Sequence, residues 1–284
     1  MLKSPLRYPG GKSRAIKFLK QYIPLFKEFR EPFFGGGSVS FFYVQNVPHA
    51  SFFASELYYE LYCLWSELKT QQETLIEEIK RIKATQTNGR ELYQEIMERR
   101  EKELSPFQRA VDFFILNRIT FSGVADSGGY SELSFQSRFT DSSIERLRQA
   151  IEIVKKIDIL NQDYAVLLQK PGEDVFIFLD PPYYSVTKSK LYGKKGNLHT
   201  AFDHERFLRE LTNCSHRWLM TYDDSEYIRD CYKDFYQLPW DLQYGMNNYK
   251  QGKAEIGKEL LIANFELPIC QETPDNKNQQ LSLF

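Results

Sequence analysis

Long apolar runs are absent from this chain of 284 residues, and no segment approaches membrane-spanning length. The opening stretch MLKSPLRYPGGK has no apolar signal core, so a cytoplasmic location is expected and no membrane partner. Cysteine is scarce. Cys63, Cys214, Cys231 and Cys270 are the four, and none forms a C-x-x-C pair, which argues against a zinc site or a dithiol redox motif. No metal is expected, and the cysteines read as buried, reduced thiols. Net charge is nearly absent too. A formal value of −1 is not that of a protein built around a polyanion.

Charge distribution says more than the sum. Residues 1–27 carry seven basic side chains and no acid. Residues 183–200 carry Lys188, Lys190, Lys194 and Lys195, again with no acid. These are two solvated surface segments, or two parts of one basic patch if the fold joins them. Hydrophobic residues at 42% and charged residues at 26% are ordinary for a globular protein, and the length suits one α/β domain plus a smaller one.

The chain shows no internal repeat. Glu28 to Phe33 reads as a strand running into Phe34-Gly35-Gly36-Gly37. Ser38 is placed to cap a helix through about Gln45, and Ser51 to Ser55 reads as a second strand ended by Glu56. Leu64, Leu68, Leu75, Ile79 and Ile82 recur at helical spacing, and Glu91 to Glu103 reads as another helix. Ser105-Pro106 starts a further helix. Thr120 to Phe139, with Gly123, Gly128 and Gly129, reads as a loop or hairpin, and Asp141 to Lys156 as helix. Strands are expected at Ile157 to Leu160, Val175 to Leu179, Trp218 to Tyr222 and Glu259 to Phe265, with a helix at His204 to Leu211. The sum is an α/β, doubly wound, mainly parallel Rossmann-like sheet split by a mainly helical insertion that would sit at one end as a second lobe. Residues 271–284 are polar and proline-interrupted and read as a flexible tail.

Two motifs carry chemistry. Glycines between a strand and a helix let a ligand approach the backbone, and the helix N-terminus favours negative charge. Glu56 lies 21 positions after Gly35, where an acid at the end of the next strand can take ribose hydroxyls. Taken alone, a glycine turn is more often structural, and this one is not G-x-G-x-x-G. Asp180-Pro181-Pro182-Tyr183 follows the VFIFL strand directly, at the edge of the sheet where α/β ligands bind. The prolines remove two N–H donors and leave carbonyls free to accept. A carboxylate and a carbonyl accepting both hydrogens of an aryl amine would favour a tetrahedral nitrogen and a reactive lone pair. Tyr183 can stack on an extruded base. A rigid strand-ending turn is the structural alternative.

With both motifs in view, the chain resembles the Dam-type DNA adenine N6-methyltransferases, which use S-adenosylmethionine. Arg7-Tyr8-Pro9-Gly10-Gly11-Lys12 is similar to the N-terminal W/Y-x-G-G-K motif that closes over the cofactor. Glu31-Pro32-Phe33-Phe34-Gly35-Gly36-Gly37-Ser38 resembles the cofactor loop, and Ser55-Glu56-Leu57-Tyr58 the acid stretch, with the acid at Glu56 or, one residue back, the equivalent position at Ser55. Lys258-Glu259-Leu260-Leu261-Ile262 resembles a late strand. The resemblance implies catalytic residues Asp180, Pro181, Pro182 and Tyr183. It implies cofactor contacts from Tyr8, Lys12, Phe33, Gly35, Gly37, Ser38, Glu56 and Asp180. It also implies a division into a catalytic domain over 1–59 and 157–270 and a target-recognition insertion over 60–156.

Asn117 to Gly123 resembles the start of a DNA-reading hairpin, whereas Ala125 to Ser131 departs from GATC-reading members. Arg118 and Arg138 could read guanine, bind phosphate or form buried ion pairs, and Lys188, Lys190 and Lys194 are further DNA-binding candidates. Double-stranded DNA is the expected substrate, and a companion nuclease in a restriction–modification pair is left open. A cytosine N4 methyltransferase is the nearest alternative, with Ser the more usual first residue of its tetrapeptide. No Pro-Cys pair exists for cytosine C5 chemistry. An RNA methyltransferase and a non-catalytic nucleic-acid-binding protein are further alternatives. The terminal Gln280-Leu281-Ser282-Leu283-Phe284 resembles the peptide by which bacterial proteins dock on the sliding clamp, with 272–279 as tether.

Overall fold

A computed structural model describes residues 1–184, 202–243 and 256–268. Seven strands form one sheet: β1 (Glu28–Glu31), β2 (Ser51–Ser55), β3 (Ile157–Leu160), β4 (Val175–Leu179), β5 (Arg217–Asp223), β6 (Tyr236–Gln243) and β7 (Ile256–Ala263). Their order is β3-β2-β1-β4-β5-β7-β6. The first five pair in parallel, and β7 runs antiparallel to both β5 and β6. The chain leaves β1 for β2 on one side, while β4 lies on the other. A crevice therefore opens beyond the carboxyl ends of β1 and β4.

β4 shows why this sheet is covered on both faces. All five of its residues are buried. Phe176 and Phe178 enter one apolar cluster, whereas Val175, Ile177 and Leu179 enter another. Alternation puts neighbouring side chains on opposite faces, and both faces are dry. β5 and β7 divide in the same way, Leu219 and Leu261 to one side, Met220 and Ile262 to the other.

The expected strands are all present, with β1 ending at Glu31 rather than Phe33. The edge strand β6 is an addition: it contains Pro239, and an edge tolerates the missing donor. The helices are α1 (Ile16–Leu19), α2 (Ser38–Asn46), α3 (Tyr59–Thr70), α4 (Gln72–Thr85), α5 (Gly89–Arg99), α6 (Pro106–Ile119), α7 (Glu132–Arg138), α8 (Asp141–Val154), α9 (Tyr164–Gln169), α10 (His204–Thr212) and α11 (Glu226–Cys231). Ser105 caps α6 through the Gln108 amide, as its Ser-Pro start suggests. Seven residues of the expected loop at 120–139 form the helix α7, capped by Ser131.

Part of the insertion at 60–156 packs on the sheet. Leu61, Leu64 and Trp65 of α3 and Ile144 and Leu147 of α8 share one cluster with Phe29 and Phe52 of the sheet. α3 and α8 thus help to cover the sheet, because their apolar faces have it as a partner. Among the thiols, Cys63 is buried, but Cys214 and Cys231 are partly exposed. Cys270 falls outside the described residues. No described helix is long and apolar enough to cross a membrane, and no described His, Cys, Asp and Glu cluster has the form of a metal site.

Candidate active site

The crevice is a cleft of ≈ 690 Å³, within the usual range for a ligand pocket. Tyr8, Lys12, Phe33, Gly35, Gly37, Ser38, Glu56, Asp180, Pro181, Pro182 and Tyr183 all line it. Residues up to 175 positions apart in the sequence, from Tyr8 to Tyr183, are brought together.

The glycine turn is shaped by aromatic rings. Gly35 has φ +49°, and a Cβ there would lie 2.6 Å from the Tyr8 ring. Gly37 has φ +66°, and a Cβ would lie 2.6 Å from the Phe34 ring. Any side chain at either position meets both backbone strain and a clash. The turn is also pinned from outside, as the Trp65 indole of α3 donates to the Gly35 carbonyl at 3.0 Å. Ser38 does not cap α2. Gly37 occupies that position, and Ser38 Oγ instead bonds Ser13 Oγ at 2.9 Å. The carboxylate at the first turn is that of Glu31, which accepts from the Ser40 amide at 3.0 Å and from the Ser40 hydroxyl.

Glu56 follows β2 and is buried. Its Oε2 accepts from the Gly35 amide at 2.8 Å and its Oε1 from the Tyr58 amide at 2.9 Å. Burial pushes its carboxyl up to about 7, against the pull of those two amides. Ser55, the one-residue alternative, has turned its hydroxyl to the Gln162 carbonyl. Of these two neighbours, Glu56 is the one whose side chain bonds the glycine turn.

Asp180 ends β4. Lys12 Nζ donates to both its oxygens, at 2.7 and 2.8 Å, and to the Gly10 carbonyl at 3.0 Å. Thr221 of β5 donates to Oδ1 at 2.8 Å. An ionised carboxylate has about four acceptor positions, so one remains, on Oδ2. Tyr183 lies beside this pair, with Lys12 5.1 Å from its ring centroid and the Tyr222 ring stacked at 5.7 Å. Its hydroxyl donates to Glu259 Oε2 at 2.6 Å. Burial holds that hydroxyl well above its ordinary range, so it remains a donor. Burial also raises Glu31 to about 8 and Glu259 to about 7.

Five acids line the cleft, Glu31, Glu56, Asp163, Asp180 and Asp203, against two bases, Lys12 and Arg206. Both bases are engaged, Lys12 with Asp180 and Arg206 with Asp163 at 2.8 Å. Acids outnumber bases, although burial keeps Glu31 and Glu56 partly protonated near neutral pH, and the remaining surplus suits a ligand carrying positive charge. Asp163, Tyr164, Thr221 and Glu259 were not singled out as site residues from the sequence. Asp163 had a usable signal, since it follows β3 much as Glu56 follows β2. Thr221 and Glu259 had none, because only strand pairing brings them to Asp180 and Tyr183.

The DNA-binding candidates lie elsewhere. Arg118 is 2% exposed, which does not suit a surface contact. Its guanidinium donates to Asn117 Oδ1 and lies 5.4 Å from the Phe114 ring centroid. Burial first, and then the nearby charges of Arg7, Arg146 and Arg138, lower it to about 9. Among the described residues it forms no ion pair. Arg138, in the last turn of α7, is exposed. Lys188, Lys190, Lys194 and Lys195 fall outside the described residues, as does Gln280 to Phe284.

A mainly parallel sheet with an antiparallel strand inserted between β5 and the edge strand β6, a glycine turn with its acid, and an Asp-Pro-Pro-Tyr strand end define a Rossmann-like methyltransferase. Residues 8–246 match the family described as D12 class N6 adenine-specific DNA methyltransferase. The chain belongs to that family and is a DNA adenine N6-methyltransferase. It is 24% identical over 270 residues to the type II methyltransferase M.CviBI of Paramecium bursaria Chlorella virus NC1A, spanning 91% of this chain and 96% of that one. It is 21% identical over 209 residues to the type II methyltransferase M.MjaIII of Methanocaldococcus jannaschii, spanning 67% and 72%. The DNA adenine methylase of Escherichia coli (strain K12) is 23% identical over 188 residues, spanning 63% of this chain and 64% of that one.

Proposed function

We propose that the cleft binds S-adenosylmethionine and that Asp180, the proline carbonyls and Tyr183 present the amino group of an adenine extruded from duplex DNA. The observation that carries this reading is the state of Asp180. Its carboxylate is held on three sides by Lys12 and Thr221 and keeps one acceptor position on Oδ2. One adenine N6 hydrogen takes that position and a carbonyl of Pro181 or Pro182 takes the other. Together they favour a pyramidal nitrogen. Tyr183 stacks on the base.

The residues of the cleft fit the cofactor. Each Glu56 oxygen has one amide partner and a further acceptor position for a ribose hydroxyl. Phe33 and Tyr164, stacked at 5.4 Å, offer apolar faces, and Tyr8 packs over Gly35 and Gly36. The acidic surplus complements a sulfonium and an ammonium. When bound, S-adenosylmethionine supplies an electrophilic methyl group.

Target recognition belongs on this reading to the insertion at 60–156, within its helices α4 to α7 and the turn at 120–130, because α3 and α8 cover the sheet. Arg138 meets phosphate there. Arg118 adds field from beneath rather than contact. Lys188, Lys190 and Lys194 extend the basic surface, and Gln280 to Phe284 tethers the enzyme to a sliding clamp. These last two assignments rest on sequence alone. Removing the last five residues should abolish capture by a bacterial clamp and leave methylation intact.

The deciding experiment is tritium transfer from labelled cofactor into unmethylated plasmid DNA, followed by nucleoside analysis, for the parent and Asp180→Ala. Label in N6-methyladenine, lost in the variant, supports the reading. Label in N4-methylcytosine, or variant activity within about tenfold of the parent (~1.4 kcal/mol), overturns it.

A further inference from the structure

Glu259 is a buried acid with no part in the chemistry above. It lies in β7, opposite Asp223 of β5 and Trp240 of β6, and is 1% exposed. Its side chain's one hydrogen bond among the described residues is the one accepted from Tyr183 at 2.6 Å, and its Oε1 has none. A sheet interior offers no reason for such a group. A carboxylate there is disfavoured by burial, and an apolar side chain of similar size would satisfy β7 better. The neighbouring positions Leu260, Leu261 and Ile262 follow that rule.

What Glu259 does is visible at the other end of the bond. Tyr183 follows two prolines at a strand end and is the first residue after them with a side chain free to rotate. Ring stacking on Tyr222 restrains its plane, and the Lys12 ammonium lies over the ring. Neither contact fixes rotation within the plane or sliding along the Tyr222 face. A short hydrogen bond at the hydroxyl does, because it ties the far end of the side chain to the rigid centre of the sheet.

We propose that Glu259 is a positioning residue for methyl transfer, anchoring the Tyr183 hydroxyl so that the ring offers a fixed face to the target adenine. This rests on the adenine reading of the cleft. Glu259 touches neither substrate nor cofactor and acts through Tyr183 alone. It therefore affects turnover and not cofactor affinity, and its effect disappears once the Tyr183 hydroxyl is gone.

The test uses the full-length protein and unmethylated plasmid DNA, with Glu259→Ala, Glu259→Gln, Tyr183→Phe and the double variant Tyr183→Phe/Glu259→Ala. Glu259→Ala and Tyr183→Phe are each expected to lower kcat by about tenfold to a hundredfold, the size of a lost hydrogen bond to a charged group. Cofactor Kd by calorimetry should stay within about twofold, well inside the span of one tenfold step. The double variant should be no slower than the slower single one, and Glu259→Gln, which keeps an acceptor, should recover most of the loss. Losses that multiply in the double variant, or a loss of cofactor affinity in place of kcat, overturn the proposal. If Glu259→Ala does not fold, Tyr183→Phe and Glu259→Gln decide: parent-like kcat in Tyr183→Phe overturns it. A parent enzyme that leaves adenine N6 unmethylated removes the reading of the cleft itself, and is thereby distinguished from failure of this inference alone.

Discussion

Lys12 and Arg118 are buried alike, at 3% and 2% exposure, and differ in everything around them. Lys12 meets a carboxylate with both oxygens and sits in a cleft with surplus acid. Arg118 meets the side-chain oxygen of a neutral amide, and the charged groups that act on it are arginines. Its Nε has no hydrogen-bond partner among the described residues. The first cation completes a site and the second leaves charge uncompensated. Burial of a charge therefore does not mark catalysis by itself. Its partner decides whether the charge organises a reaction or stays uncompensated.

The largest expected effect lies on the completed side. Asp180→Asn should lower kcat by about a thousandfold, the upper range for removal of one preorganised polar group, with the fold intact by circular dichroism. Next, Lys12→Met removes one partner of an ion pair. Breaking a fully buried pair costs about 3–5 kcal/mol, and the 21% exposure of Asp180 reduces this. A loss of roughly 1–3 kcal/mol in urea unfolding is expected. Arg118→Met should instead be neutral or stabilising in the free protein, because an uncompensated charge is replaced by an apolar chain. Equal losses in the two variants would erase the contrast.

The two regions should also separate by pH. Glu56 and Glu259 are raised to about 7 and Glu31 to about 8, all chiefly by burial, whereas Arg118 at about 9 keeps its proton below that. The folded protein holds protons that the unfolded chain releases near the ordinary carboxyl value. Stability must then fall as pH rises from that value through about 7 to 8, and level off above. Thermal unfolding between pH 5 and 9 checks this. Glu56→Gln should flatten the decline by at most about 1.4 kcal/mol per pH unit, and Arg118→Met should leave it unchanged. The smallest effect is expected at Arg138. Replacement by Ala should reduce the slope of log DNA affinity against log salt by about 0.9, as for one lost phosphate contact.

How far the sequence could be read depended on whether the chemistry was local. The strand VFIFL and its Asp-Pro-Pro-Tyr end, the glycine turn and Glu56 were legible because strand periodicity, proline geometry and glycine freedom act over a few residues. β6 was not read from the sequence, and only the tertiary structure puts its Pro239 at an edge. Arg118 was ambiguous because its neighbours in the chain do not say which way it faces.

By itself, the sequence determined the alternation of strands and helices, the ends of β2 and β4 where Glu56 and Asp180 emerge, and the clustering of apolar residues that makes a doubly covered sheet. These follow from short-range sterics and from burial patterns with periods of two and 3.6. Tertiary structure alone decided that Lys12 reaches Asp180 across 168 positions, that Thr221 and Glu259 stand behind Asp180 and Tyr183, and that α3 pins the glycine turn through Trp65. Those contacts arise from strand order and pairing register, and a one-residue slip would turn Glu259 to the other face of the sheet.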